Sequence, residues 1–306
     1  MKALIKIILN FNLYTLLRIF KVNIIYSTIK NKYFKNDRSE YTRILLNKNI
    51  NDIFDCIGIE TIALCNRGKT SCASYCPVDN IKRKNSYMKE EVYYKIVNEL
   101  SSMKFSGSIR PYYYSEPLLD KRLVKFVKHA RINCPNAQIL IKSNGDYLDF
   151  EKYMELKIAG VTRYKITQYD GYFQKNIVDI FLQLDKNERD NFEVRIVKDF
   201  YENRGMYERE EVENGWIINE VCNFPLEQMF ITSDGNAVLC PNDFDGDEIK
   251  LGNVMDNKLI DIWQSSNYLE IRKEMQKGMR SVCGDLCVGC NHTVDLHGST
   301  KYVHLN

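Results

Sequence analysis

From residue 57 onward, short apolar runs alternate with longer amphipathic stretches. Ile57–Leu64, Ser108–Tyr114, Ala137–Lys142, Arg163–Tyr169 and Glu193–Val197 read as strands. Between them, residues 87–104, 119–132, 150–159 and 173–184 carry apolar positions at helical spacing, and Ser86 is a candidate N-cap for the first. Strand and helix alternating every 25–30 residues or so imply parallel strands joined by right-handed crossovers. The expected fold is α/β, a partial (β/α)6 TIM-like barrel, with its chemistry at the C-terminal strand ends. Those ends carry Cys65, Ser115-Glu116-Pro117, Ser143-Asn144-Gly145 and Gln168-Tyr169-Asp170-Gly171. Four polar, turn-forming segments in series point to one rim.

The pattern changes after residue 221. Met229–Thr232 and Asn236–Leu239 flank Ser233-Asp234-Gly235, a hairpin signal. Residues 258–276 read as one helix with Leu259, Ile262, Trp263 and Ile271 on a face. The expected organisation is 1–50 as N-terminal helix and connector, 51–220 as the core barrel, and 221–306 as a small cysteine-rich β-hairpin/helix domain. Residues 1–26 are apolar but interrupted by Lys2, Lys6, Arg18 and Lys21, so they contain no uncharged membrane-spanning run. They also lack a small-residue cleavage site for secretion. A basic amphipathic helix of this kind suits peripheral contact with an anionic membrane through residues 1–26. The commoner use of such a face, and the one favoured here, is packing over the domain.

Composition narrows the class. The 306 residues are 44% hydrophobic and 27% charged, as in ordinary globular chains. The net charge of +3 hides an asymmetry: residues 1–36 hold seven Lys/Arg and no carboxylate. The remainder has no basic stripe interleaved with aromatics, so no nucleic-acid partner is expected. Ten cysteines, most of them in two short clusters, favour metal binding in a reducing, cytoplasmic compartment over disulfides.

Cys65, Cys72 and Cys76 follow the first strand with Cys-x6-Cys-x3-Cys spacing. Three such thiols can hold three corners of a [4Fe–4S] cluster, leaving one iron open to a ligand. Cys283, Cys287 and Cys290 have the tighter Cys-x3-Cys-x2-Cys spacing, but only 16 residues follow them, too few for a barrel. Cys287 and Cys290 pair better with Cys222 and Cys240 as a closed four-thiolate site, with Cys283 as a spare or alternative ligand. Spacing alone leaves zinc and iron–sulfur open for this second set. The first set favours a second cluster. Gly68-Lys69-Thr70 lacks the earlier glycine of a phosphate loop, and the four histidines show no metal or triad spacing.

Taken together, these motifs resemble the radical S-adenosylmethionine enzymes with a C-terminal auxiliary-cluster domain of the SPASM/twitch type, over residues ~57–291. Asn66 and Pro77 flank the first cysteines as in the family's cluster motif. Ser115-Glu116-Pro117 resembles its Gly-Gly-Glu-Pro loop, and IKSNGDYL its Thr-Asn-Gly strand end. Cys222, the 231–242 hairpin, Gly252-Asn253-Val254, Ile262-Trp263 and the last cysteines resemble the auxiliary domain. The first loop departs from the family's Cys-x3-Cys-x2-Cys by three residues in one gap and one in the other. A loop absorbs such insertions at small entropic cost.

The resemblance implies a catalytic [4Fe–4S] cluster on Cys65, Cys72 and Cys76, completed by S-adenosylmethionine. It implies Tyr75 against the adenine and Glu116 on the cofactor's ammonium. Ser143, Asn144 and Gln168 would serve its ribose or carboxylate. It also implies one auxiliary [4Fe–4S] cluster and an electron donor such as flavodoxin or ferredoxin. With one auxiliary cluster, the expected reaction is oxidation of a small sugar- or cyclitol-like alcohol. The alternatives are a peptide substrate, for a modifying maturase, or a non-catalytic iron–sulfur or zinc adaptor. Asp170, Lys165 and Arg195 lie near strand ends as general-base candidates, with nothing in the sequence to choose among them.

Overall fold

The computed structural model describes residues 40–68, 72, 76–197, 220–287, 290, 292 and 302–305. The amphipathic stretch 1–26 and Tyr75 lie outside them. The chain divides into two compact units, Met1–Ile44 and Leu45–Asn306, and the second carries the chemistry.

Within that unit the described strands form one sheet. β1 is Cys56–Ile59, β2 Ser108–Arg110, β3 Gln138–Ser143, β4 Arg163–Gln168 and β5 Phe192–Val197. β6 is Gln228–Ile231, β7 Ala237–Val238 and β8 Tyr302–His304. The order is β7-β6-β1-β2-β3-β4-β5-β8. β6 through β5 run parallel, and β7 and β8 add antiparallel edges. The sixth parallel strand therefore comes from beyond residue 220 and lies beside β1, with Ile57 opposite Met229.

The crossover helices are α2 (Glu90–Ser102), α3 (Leu123–Asn133), α4 (Phe150–Ala159) and α5 (Lys175–Gln183), after a short α1 (Glu40–Leu46) and before the short α6 (Lys186–Asp190) and α7 (Asn223–Glu227). Local chemistry sets their ends. Asp149 caps α4 by accepting from the Lys152 amide at 2.7 Å, and Gly160 ends it at φ +120°. α2 begins three residues later than its pattern suggests, with Lys89 at the N-cap. Ser86 instead hydrogen-bonds the hydroxyl of Ser233. The single helix read over 258–276 is two, α8 (Leu259–Trp263) and α9 (Ser266–Gln276). Ser265 interrupts it, because its hydroxyl caps α9 through the Tyr268 amide.

The helix-side face of the sheet is apolar. Ile57, Ile59, Ile109, Ile139, Ile141, Ile166 and Val194 join Val92, Ile96, Leu100, Phe126 and Leu156 in one core. Each such side chain, fully buried, contributes roughly 1.5–3 kcal/mol. The same core continues through Met229, Ile231, Leu239, Ile262 and Trp263. The cysteine-rich segment is thus not held by its cysteines alone. It shares the sheet through β6 and the core through α8.

Candidate active site and auxiliary iron–sulfur centre

The C-terminal strand ends meet in a dense polar network. Glu116, just past β2, is buried and accepts from Ser143 Oγ at 2.7 Å, from the Asn144 amide at 2.8 Å and from the Leu118 amide at 3.1 Å. Gln168, at the end of β4, donates to the Asn144 carbonyl at 2.7 Å. Gly145 turns the chain at φ +84°, where a Cβ would strike Ile166 and the Gln168 amide. The structure therefore brings Glu116, Ser143, Asn144 and Gln168 to one rim. It commits the Ser143 hydroxyl to Glu116.

Beside this network, Ser115 Oγ is buried and has no hydrogen-bond partner among the described residues. A buried hydroxyl without a partner at the rim is what a bound polar ligand would satisfy. It supports a fit to the cofactor's polar groups.

Cys65 leaves β1 toward the same rim. The Arg67 amide donates to its sulfur at 3.4 Å, and the Cys72 thiol donates to the Arg67 carbonyl at 3.2 Å. The Cys76 amide then bonds the Cys72 carbonyl at 3.0 Å. Burial pushes the Cys65 thiol up to about 12, and Glu116, Cys72 and Cys76 add to the shift. Iron replaces those protons on binding, so three convergent thiols fit a cluster that is loaded as thiolates. Among the described residues, no three Cys, His, Asp or Glu side chains close around one point as a single ion would require. Donor chemistry and position carry the assignment.

Sequence reasoning missed what anchors this loop. Arg67 donates to both oxygens of Asp146, after β3, at 2.6 Å each. It also donates to both oxygens of Asp170, after β4, at 2.8 and 2.7 Å. Asn66 adds a bond to Asp146 at 2.6 Å and accepts from Asn144 at 2.9 Å. Burial would raise the Asp146 carboxyl, but bonds from Arg67, Gln174 and Asn66 hold it below its usual range. The lengthened cysteine loop is thus tied to two strand ends by a charged fork. Asp170, a base candidate in the sequence, is committed to Arg67.

A second missed pair lies beneath. Glu60 is fully buried and takes a two-point bond from Arg83, at 2.5 and 2.9 Å. Arg83 also reaches the Phe244 carbonyl. Tyr113 and Tyr114 donate to the carbonyls of Cys240 and Pro241 at 2.8 and 2.5 Å. The strand ends and the Cys240 loop are therefore one bonded structure.

Cys222, Cys240, Cys287 and Cys290 are all buried and lie close enough to raise one another's proton affinity. Burial pushes Cys222 up to about 12, and Arg280 opposes the shift. Arg280 is itself buried, fixed by the carbonyls of Glu220 at 2.8 Å and His292 at 2.7 Å. A fixed cation beside four thiols suits an anionic centre. Asn242 donates to Cys290 Sγ at 3.0 Å. Cys283 stands beside Cys287 and raises its proton affinity. His292 bonds Asn223 at 3.0 Å and stacks on Phe224, a structural role.

Glu116 gives a pH prediction for the metal-free chain. Burial raises its carboxyl from 4.5 to about 7, against the lowering effect of its three donors. Between those values the unfolded chain has lost the proton and the folded chain keeps it, so stability falls as pH rises through this window and then levels. The Glu116 share is about 3 kcal/mol. Urea unfolding from pH 4.5 to 8 should show that slope, and Glu116→Gln should remove this part of it.

The SPASM family, described as an iron–sulfur cluster-binding domain, matches residues 222–291. It decides for iron–sulfur over zinc in the second set. An S-adenosyl-L-methionine-dependent 2-deoxy-scyllo-inosamine dehydrogenase of Niallia circulans is 30% identical over 246 residues, 78% of this chain and 94% of its own. The crystal structure of BtrN in complex with AdoMet and 2-DOIA is similar at a TM-score of 0.68 and 30% identity, covering 79% of this chain and 94% of that one. An open form of BtrN matches at 0.61 and 25%. These likenesses bear out the partial-barrel fold and set aside the non-catalytic adaptor. With a relative at this identity over most of both chains, this protein belongs to the radical S-adenosylmethionine enzymes that carry a C-terminal SPASM-type iron–sulfur domain.

Proposed function

We infer that this enzyme is a dehydrogenase of a small polyol, oxidising a ring alcohol of a cyclitol or sugar to a ketone. The observation that carries the reading is that Arg83, Tyr113 and Tyr114 bond the Cys240 loop to the strand ends of the barrel, so the second thiol set is built onto the same frame that carries the rim. The relative's name, a 2-deoxy-scyllo-inosamine dehydrogenase, supports the reaction class.

Cys65, Cys72 and Cys76 hold the catalytic cluster, and Cys222, Cys240, Cys287 and Cys290 hold the auxiliary one. When bound, the two centres and S-adenosylmethionine supply a 5′-deoxyadenosyl radical to take a substrate hydrogen atom and an acceptor for the remaining electron. Arg67, held by Asp146 and Asp170, keeps the cysteine loop against the rim. Ser115, Asn144 and Gln168 would offer polar groups to the cofactor, and Glu116 would accept from its ammonium. Arg280 offsets the charge of the auxiliary centre. Electrons come from a flavodoxin- or ferredoxin-like donor in the cytoplasm, a placement favoured by ten cysteines of which none is in a disulfide. Among the described residues no helix is long and apolar enough to cross a membrane.

The test separates the two centres. Cys287→Ala with Cys290→Ala should leave roughly four of about eight irons, keep formation of 5′-deoxyadenosine and abolish ketone formation. Full ketone yield from that variant would contradict the electron-acceptor role.

A further inference from the structure

A buried cation stands among the C-terminal thiols. Arg280 opens the short 3-10 helix Arg280–Leu286, which runs into Cys287. Its Nε donates to the Glu220 carbonyl at 2.8 Å and its Nη2 to the Val221 carbonyl at 3.4 Å, on the residues that lead into Cys222. Its Nη1 donates to the His292 carbonyl at 2.7 Å, two residues past Cys290. The guanidinium is thus stapled between the chain entering at Cys222 and the chain leaving after Cys290. It is close enough to favour the thiolate at Cys222, Cys287 and Cys290.

Among the described residues these carbonyls are its partners, and no carboxylate pairs with it. Carbonyl dipoles solvate a guanidinium but do not cancel its charge, and a buried charge is costly unless an anion faces it. The anion this site supplies is the centre held by Cys222, Cys240, Cys287 and Cys290, all of them buried. Reduction adds a further negative charge to such a centre, so a fixed cation in a dry surrounding favours the reduced form. Asn242 acts in the same sense by donating to Cys290 Sγ at 3.0 Å, because hydrogen bonds to the sulfurs draw off electron density. Asp243, the buried carboxyl of the Cys240 loop, turns to the Leu239 amide at 3.5 Å.

The first thiol set has the opposite neighbour. The Glu116 carboxylate disfavours the thiolate at Cys65. Arg67, the cation of that loop, is already forked to Asp146 and Asp170. The charge around the two centres is therefore unequal, and the inequality runs in the direction that makes the C-terminal one easier to reduce.

We propose that Arg280, with Asn242, sets the reduction potential of the auxiliary centre and holds it above that of the catalytic one. The substrate radical then gives up one electron to that centre and its hydroxyl proton to solvent, leaving the ketone. What the electron transfer accomplishes rests on the dehydrogenase reading, but the potentials are read without substrate.

The experiment is a potentiometric titration followed by electron paramagnetic resonance, without S-adenosylmethionine. It uses the full chain with Cys65, Cys72 and Cys76 replaced by alanine, so that the auxiliary centre is read alone. Arg280→Gln offers donors to the carbonyls without the charge. Its reduced-to-oxidised ratio at a fixed potential should fall roughly tenfold or more, a downward shift of about 59 mV or more for a one-electron centre. Arg280→Lys keeps the charge and should lower the ratio by no more than about threefold. Asn242→Leu should lower it by roughly threefold. Iron near four per chain, roughly one cluster, should persist in each variant. The proposal is overturned if Arg280→Gln titrates like its parent, or if Arg280→Lys falls as far as Arg280→Gln, since charge would then not be the cause. If Arg280→Gln fails to hold iron, Asn242→Leu decides, and an unchanged potential there overturns the proposal. The companion variant with Cys287→Ala and Cys290→Ala carries the catalytic centre alone and should titrate at the lower potential; the reverse order also overturns it. If the potentials come out as stated but the unmodified enzyme forms no ketone, the dehydrogenase reading fails and the role of Arg280 stands.

Discussion

Replacing Cys65, Cys72 and Cys76 together by alanine should leave a folded protein that retains roughly half of about eight irons and makes no 5′-deoxyadenosine. The fold should survive because these thiols lie past the end of β1, while the core is built from Ile57, Ile59 and the helix-facing side chains of β2 to β5. The remaining iron should be that on the C-terminal cysteines, which are fixed independently by Arg280, Asn242 and the hydroxyls of Tyr113 and Tyr114. Iron analysis, circular dichroism and product chromatography check the three parts. The opposite pattern, with 5′-deoxyadenosine formed on the remaining cluster, would move catalysis to the C-terminal set. That set has the tighter spacing but stands at the end of no barrel strand with an acidic loop after it.

The largest stability effect is expected at Arg83. In Arg83→Met, Glu60 is left buried without its cation, which costs about 3–5 kcal/mol. For a chain of this size that is a fall in Tm of roughly 5–8 °C. Glu60 also accepts from the amides of Tyr114 at 3.2 Å and Ser233 at 3.0 Å, so the loss should spread to β2 and the β6–β7 hairpin. The Phe244 carbonyl loses its donor too, and the Cys240 loop should release iron faster under chelator. Arg83→Lys keeps the charge without the two-point fork and should fall between. Removing the exposed Lys175–Asp179 pair should change Tm by no measurable amount. Calorimetry on the three variants checks the order.

Much of the barrel is readable in the sequence because its periodicity is local. α4 spans 150–159 as its pattern predicts, and β3, β4 and β5 fall within a residue or so of their apolar runs. β1 was harder. Ile57–Leu64 reads as one strand but ends at Ile59, because Glu60 turns to Arg83 and Ile62 bridges to Tyr87. Nothing in the run itself encodes those partners. The parallel place of β6 beside β1 is a tertiary choice, which a hairpin signal between residues 229 and 239 cannot convey.

The site divides in the same way. Cysteine spacing and strand-end residues exposed the two thiol sets, Glu116, Ser143, Asn144 and Gln168. The groups that hold them were hidden by distance along the chain. Asp146 lies 79 residues from Arg67, and Asp170 lies 103. An arginine two residues after a cysteine carries no signal until two other strand ends are brought to it.

The central claim is that this chain cleaves S-adenosylmethionine reductively on the cluster held by Cys65, Cys72 and Cys76. The direct measurement is anaerobic reconstitution with iron and sulfide, followed by dithionite and S-adenosylmethionine, with 5′-deoxyadenosine read by chromatography. The account predicts that 5′-deoxyadenosine and methionine accumulate in equal amounts from protein carrying about eight irons. A fully loaded protein that forms no 5′-deoxyadenosine would contradict it.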